Sequence, residues 1–357
     1  MDLVFAYHRC NFIKGKSMAV LDESLVDWIR ERAEALDTLP DEGEGLLARL
    51  AQSGLFATGT PGSAVRVVAA LAEHSLSAAF VFWAQRAFME CVLASPNREL
   101  AARLMPDLQQ GRLAGAPGLS NAMKFLGGLD RLRTSFTTGA GGMRLSGAVP
   151  WASNLRRQGF VAAIAAGDAQ GENPAVFAVP HDARGLQRTP DLELLALRGT
   201  NTAALHLDEV AVDESWQLHP QARVFLPGIR PVFVGLQCGL GLGLARASLR
   251  AARQALAGAP SAELAALESA TRDLEAVLLT GLDGSGLRER PRELLLLRLR
   301  MVEMAADAVR LELQALGGRA LLGSEGRDFA RRSRESAFLN VVTPTVVQLR
   351  KDLAKLY

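Results

Sequence analysis

Residues 113–222 interrupt a chain that is otherwise patterned for helix. Before them, "DESLVDWIRERAEAL" (22–36) opens on acidic and serine residues and then spaces Leu25, Ile29, Ala33 and Leu36 along one helical face. "EGLLARLAQSGLF" (44–56) repeats the pattern and stops at a glycine. "SLSAAFVFWAQRAFMECVLA" (75–94) is apolar nearly all round, as a buried helix must be, and helix-compatible "NRELAARLMPDLQQG" (97–111) follows. The interruption holds "TSFTTGAGGMRLSGAV", "GFVAAIAA", "PAVFAVP" and "TAALHLDEVAV". These are short β-prone runs cut by glycine, proline, asparagine and aspartate, the pattern of an antiparallel sheet or small barrel. Helical patterning then returns over roughly 229–257, 261–280 and 290–316, with one further helix before Pro344 and one after it. The order predicts an α+β, mainly α fold: an N-terminal helical domain (18–112), a middle β domain (113–222) and a C-terminal helical bundle (223–357).

Composition narrows the function classes. The chain has 357 residues, 49% hydrophobic and 22% charged, which is ordinary for a globular protein with a sizeable core. A formal charge of +2 gives no electrostatic support for a nucleic-acid partner. Cys10, Cys91 and Cys238 lack metal-ligand spacing. Cys91 and Cys238 sit in apolar runs, where free thiols pack as small hydrophobes, so a reducing, cytoplasmic location is expected. "MDLVFAYHRCNFIKGK" (1–16) has neither a basic start nor a small-residue cleavage site. It reads as an arm, or as the product of an upstream start codon with Met18 as the alternative. The longest apolar run, "PVFVGLQCGLGLGLA" (231–245), is closed by Arg230 and Arg246, short of the ~20 residues that span a bilayer, so no membrane span is expected.

"CGLGLGLARA" imitates a dinucleotide loop, but Leu244 stands where the third glycine belongs and no suitable strand precedes it. Gly235, Gly239 and Gly243 instead recur every four residues, which places small residues on one helix face for close helix packing. In "ESAFLNVVTPTVVQLRKDL" (335–353), Pro344 disfavours the α conformation at Thr343, so the helical pattern is expected to break there.

Five segments in order resemble the acyl-CoA dehydrogenase superfamily: "LMPDLQQGRLAGAPGLSNA", "LSGAVPWASN", "LRGTNTAALHLDEVAVDE", "IRPVFVGLQCGLGLGLARASL" and "LQALGGRALL". The resemblance covers most of the chain from about residue 20. It implies an FAD-dependent oxidoreductase performing two-electron chemistry on an acyl thioester or related small hydrophobic substrate. It also implies a homo-oligomer, with an electron-transfer partner. By resemblance, Trp151 packs against the isoalloxazine ring and Ser153 faces its N5 and O4 side. Leu119 and Ser120 match strand residues at the pyrimidine edge. Gln314, Gly317 and Gly318 match the turn that meets the ADP portion, often of a neighbouring subunit. Arg230 matches an arginine at the start of the first bundle helix, and Thr345 the threonine after the catalytic turn. Each residue also has a plain structural reading. Trp151 would be core, Ser153-Asn154 a turn cap, Gly317-Gly318 a helix end and Arg230 an ion-pair partner.

The chain departs from the family pattern where the chemistry should be. Aligned through Arg334 and Thr345, the glutamate that removes the α-proton becomes Thr343, which has no accessible anion near neutral pH. The alternative family position for that base is Ile229. The family's "R-x-x-F-G", which grips a neighbour's FAD, is absent from "ALAGAPSAELAAL". Its "T-E-P-x-x-G-S-D" strand becomes "LSNAMKFLGG", which puts Asn121 at the acidic position and Phe125-Leu126 at the glycine-serine, with Asn121 and Lys124 near the mouth. Catalytic residues are therefore unassigned, with Glu90 on the apolar helix as a stand-in base and Glu335 expected to point elsewhere. Relatives of this fold include two-component monooxygenases, which take FMN or FAD transiently in reduced form from a partner reductase and need no carboxylate base. Such enzymes often place a histidine near the flavin, but His181, His206 and His219 fall in or just after the β region without a clear pocket position. His74 ends a helix, where an imidazolium would meet the terminal carbonyls. A non-catalytic paralogue that pairs with another subunit is the third reading.

Overall fold

A computed structural model describes residues 21–355 apart from 58, 140, 141, 169, 170, 172 and 285. The 1–16 segment, with Cys10, and Met18 lie outside the described residues.

Among the described residues, five helices come first: α1 (Glu23–Thr38), α2 (Leu46–Gln52), α3 (Pro61–Ala72), α4 (Leu76–Ala94) and α5 (Arg98–Gln109). Side-chain oxygens of Asp22, Thr60, Ser75 and Asn97 accept from first-turn N–H groups and fix the starts of α1, α3, α4 and α5. The middle region runs β1 (Ala114–Pro117), α6 (Ser120–Leu126), β2 (Thr134–Gly139), β3 (Gly142–Ala152), β4 (Phe160–Ala166), β5 (Ala175–Pro180), β6 (Leu186–Arg188), β7 (Ala203–Val212) and β8 (Gln217–His219). It forms two four-stranded sheets, ordered β1-β4-β5-β8 and β2-β3-β7-β6. All named pairings are antiparallel except β1 with β4, which the expected antiparallel arrangement did not include. The bundle is α7 (Ala222–Ala255), α8 (Ala262–Asp283), the single-turn α9 (Gly286–Glu289), α10 (Pro291–Leu316), α11 (Arg327–Leu339) and α12 (Val346–Ala354).

The glycine stripe is a packing device. A Cβ on Gly243 would lie 2.1 Å from the Ala69 carbonyl oxygen, and one on Gly239 2.9 Å from that of Val65, so α3 lies directly on α7. Gly235 admits Leu282 of α8 in the same way. Asp283 at the end of α8 accepts from the Gly62 N–H at 2.9 Å and ties α8 to the start of α3. Cys91 and Cys238 are buried thiols, and burial pushes the Cys238 thiol up to about 12.

Among the described residues two helices, α4 and α7, are long and apolar enough by composition to cross a membrane. This corrects the reading from the 231–245 run, because α7 continues through both flanking arginines. Their apolar windows are 89% and 94% buried inside the fold, so the core accounts for their composition.

Candidate functional site

The "WASN" end of β3 is held by two networks. Asn154, in the left-handed region at φ 63, donates from Nδ2 to Gln85 Oε1 and to the Gly115 carbonyl, both at 2.9 Å. Gln85 lies fully buried in α4 and spends its own amide on the Leu108 and Leu113 carbonyls. Its Oε1 also accepts from the Gly115 N–H at 2.6 Å. The second network is the turn at 197–202. Asn154 N–H donates to the Thr200 carbonyl at 2.8 Å and Leu155 N–H to that of Asn201 at 3.1 Å. This turn carries two further left-handed residues, Leu197 (φ 58) and Asn201 (φ 47). A bulky side chain rarely adopts that conformation, so its surroundings must hold it. Buried Asp37 does so, accepting from the Leu197 N–H at 2.8 Å while ion-paired to Arg334 of α11 at 2.6 Å.

These networks present an indole and a hydroxyl. Trp151 is 55% exposed, against 4% for Trp83 in the core, which removes the plain-core reading. Two residues on, Ser153 Oγ lies 2.6 Å from Thr202 Oγ1, which lies 2.8 Å from Thr200 Oγ1. Thr200 Oγ1 donates to the Leu197 carbonyl at 2.7 Å.

Leu119 and Ser120 stand beside this end of β3. A Cβ on Gly118 would meet Val149 at 3.4 Å, two residues before Trp151. The two residues are not on a strand, as the resemblance had them: β1 stops at Pro117, Leu119 caps α6 and Ser120 opens it. The sequence "SNAMKFL" has no proline or glycine to stop a helical turn, and the Met123 N–H donates to the Leu119 carbonyl at 2.9 Å. Asn121 is engaged by Asp130 and by the backbone of Arg131 and Arg133. The Arg223 guanidinium covers the Phe125 ring, 4.8 Å from its centroid.

The bundle brings α12, which follows the 340–345 turn, to α6. Gln348 Nε2 donates to the Met123 carbonyl at 3.2 Å, and Lys355 Nζ to that of Gly127 at 2.6 Å. Arg230 is ion-paired to Asp352 of α12, so its ion-pair reading is the observed one. Thr345 Oγ1 accepts from the Gln348 N–H at 3.2 Å and caps α12. The helical break comes earlier than the proline requires: α11 ends at Leu339, not at Thr343. Asn340 Nδ2 turns back to the Ser336 carbonyl at 3.2 Å, and the buried Arg298 takes the Leu339 carbonyl at 3.0 Å. Gln237 Nε2 donates to the Thr343 carbonyl at 2.8 Å.

No candidate base stands free. Ile229 is buried, and Thr343 is half-buried with its carbonyl held by Gln237. Glu90 is paired with Arg86 of its own helix, through Oε1 at 2.5 and 2.8 Å. Glu335 points away from the turn, as expected: its carboxylate accepts from the Leu76 N–H at 3.0 Å and from Arg331 at 2.9 Å. His74 is corrected. Its Nδ1 accepts from Arg30 Nε at 3.3 Å, so the ring is neutral and does not cap the helix as a cation. Burial, together with Arg30, Arg250 and Arg331, pulls it down to about 4. His181 packs by Phe160, and His219 stacks on Phe225 and accepts from the Gln221 N–H.

Gln314, Gly317 and Gly318 stand apart from this cluster. Arg350 of α12 meets Glu303 in mid α10, and Gln314 lies about 16 Å further along that helix. Gly317, at φ 58, ends α10, and both glycines are exposed. Sequence reasoning missed Gln85, Asp37, Thr200, Thr202, Gln237 and Arg298. A glutamine inside the apolar run 75–94 was the one visible sign, since a polar group there must find partners.

No protein-family model and no curated protein matches the chain. Solved structures do. A nitrososynthase from Micromonospora carbonacea var. africana is 22% identical with TM-score 0.77, covering 94% of each chain. KijD3, in complex with FMN and dTDP-3-amino-2,3,6-trideoxy-4-keto-3-methyl-D-glucose, is 19% identical with TM-score 0.77, covering 94% of this chain and 91% of that one. A glutaryl-CoA dehydrogenase from Mycobacterium smegmatis, in complex with FADH2, is 17% identical with TM-score 0.75, covering 94% and 93%. At these identities the likeness is one of fold, and the chain has the acyl-CoA dehydrogenase fold.

Proposed function

We propose that this chain is a flavin-dependent oxidoreductase whose isoalloxazine site lies at Trp151 and Ser153. The observation that carries the reading is the 55% exposed Trp151 indole, fixed beside a half-buried hydroxyl by buried networks on both sides. A large exposed aromatic held on a rigid base is suited to cover a flat ring system. The flavin would supply two-electron transfer. Trp151 would cover one part of it, Ser153 would meet its polar edge, and the start of α6 at Leu119 and Ser120 would border it. The ADP portion, if FAD is used, would reach Gln314, Gly317 and Gly318 of a second copy, which fits their exposure. FMN and FADH2 both occur in the similar structures.

Within that class, oxygenation with reduced flavin supplied by a partner reductase fits better than acyl-thioester dehydrogenation. The base positions hold Thr343 and Ile229, and Glu90 is committed to Arg86. A missing general base costs a factor of about 10²–10⁴ in rate. A small hydrophobic substrate would lie between the Trp151 face and the 342–345 turn. The test supplies reduced flavin and ¹⁸O-labelled oxygen with candidate substrates, and in parallel acyl-CoA substrates under anaerobic conditions with FAD. Label in the product supports oxygenation. Bleaching of FAD by an acyl-CoA with no label incorporated would favour dehydrogenation.

A further inference from the structure

We propose that the Ser153–Thr202–Thr200 hydroxyl chain makes this site selective for the reduced form of its flavin. The inference rests on the flavin reading above. Each hydroxyl carries one proton. Thr200 spends its proton on the Leu197 carbonyl at 2.7 Å, so Thr202 must donate to Thr200 at 2.8 Å, and Ser153 to Thr202 at 2.6 Å. Thr200 and Thr202 are buried, where no bulk water relaxes that order. The chain thus runs inward, and Ser153 Oγ offers lone pairs, not a proton, to whatever it faces.

The two redox forms of a flavin differ at N5. Oxidised N5 accepts a hydrogen bond, whereas reduced N5 carries N–H and donates one. Against an inward-running chain, the reduced form adds a fourth bond to the three in place. The oxidised form gains a donor at Ser153 when the whole chain reverses and Thr200 gives up the Leu197 carbonyl, which leaves three. The difference is one hydrogen bond, about fivefold in affinity. The hydroxyl pair at 200 and 202 is therefore a specificity device one and two residues removed from the contact itself. It suits a protein that receives flavin already reduced.

Anaerobic equilibrium dialysis of FAD and of FMN, each oxidised and dithionite-reduced, tests this through the ratio of the two affinities. Thr200→Val is expected to lower the reduced-to-oxidised ratio about fivefold, and Thr202→Val to do the same, because either frees the chain to point outward. Thr200→Ser keeps the hydroxyl and is expected to keep the wild-type ratio. Trp151→Ala is expected to weaken both forms with the ratio unchanged. If Trp151→Ala weakens both forms but neither valine variant moves the ratio, the hydroxyl inference fails while the flavin site stands. If wild type binds neither flavin in either form, the flavin reading falls and this inference with it.

Discussion

Gln237 donates to the Thr343 carbonyl oxygen at 2.8 Å across 106 positions of sequence, so the turn between α11 and α12 is carried by the long first helix of the bundle. The same amide group accepts from buried Arg298 Nε at 3.4 Å, and Arg298 in turn holds the Leu339 carbonyl where α11 ends. The turn is set by α7 and α10, beyond the reach of its own sequence.

Gln237→Leu leaves the Thr343 carbonyl and the Arg298 guanidinium without that partner. An unsatisfied buried group costs about 1–3 kcal/mol, so the variant should lose about that much stability in denaturant unfolding. Hydrogen exchange should rise selectively over residues 340–346. A variant as stable as wild type, with unchanged exchange, would show that the turn is held by packing alone.

Gly243→Ala places a methyl group 2.1 Å from the Ala69 carbonyl oxygen. Overpacking of this kind costs about 1–3 kcal/mol. Gly228→Ala, in the same helix but with open space around it, should instead stabilise by about 0.5–1 kcal/mol. Thermal unfolding that moves both variants in the same direction would contradict the packing role of the stripe.

His74 contributes a pH dependence. Its folded pKa of about 4 lies below the ordinary 6.5, so between those values the unfolded chain binds the extra proton. Stability therefore rises with pH across that window and is lost as pH falls from 6.5 towards 4. Because the ring is only half-buried, solvent screening reduces the effect to about 1–2 kcal/mol. His74→Gln retains an acceptor for Arg30 and should flatten that part of the stability profile. An unchanged slope would place the proton uptake elsewhere.

Glu90→Gln tests whether the carboxylate on α4 has a chemical role. Arg86 is almost fully buried and also donates to the Gly59 carbonyl, so the pair is structural. The variant should lose about 1–2 kcal/mol of stability and keep its turnover. A folded variant without turnover would make Glu90 the missing base.

The fold was legible because its helices and strands differ in period and because five segments fall in a family order. Helix α3 was not read, although Thr60-Pro61 is a capping signal, because "PGSAVRVVAALA" is small and apolar on most faces and shows no clear period. The parallel β1–β4 pair was also missed, since four residues of "AGAP" carry no direction. At the proposed site, the "WASN" motif drew attention to Trp151 and Ser153. Their supports were not: Asn154 with Gln85, Ser153 with Thr202, and Leu197 with Asp37 pair residues 69, 49 and 160 positions apart. Such partners are chosen by burial and backbone geometry, which no local pattern records.

The most direct test of the central claim is quenching of Trp151 fluorescence on titration with flavin, in wild type and in Trp151→Phe. A flavin stacked at this position should quench a saturable component in wild type, and that component should be missing from the variant, whose affinity also falls. Equal saturable quenching in both proteins would place the flavin near another tryptophan and contradict the site.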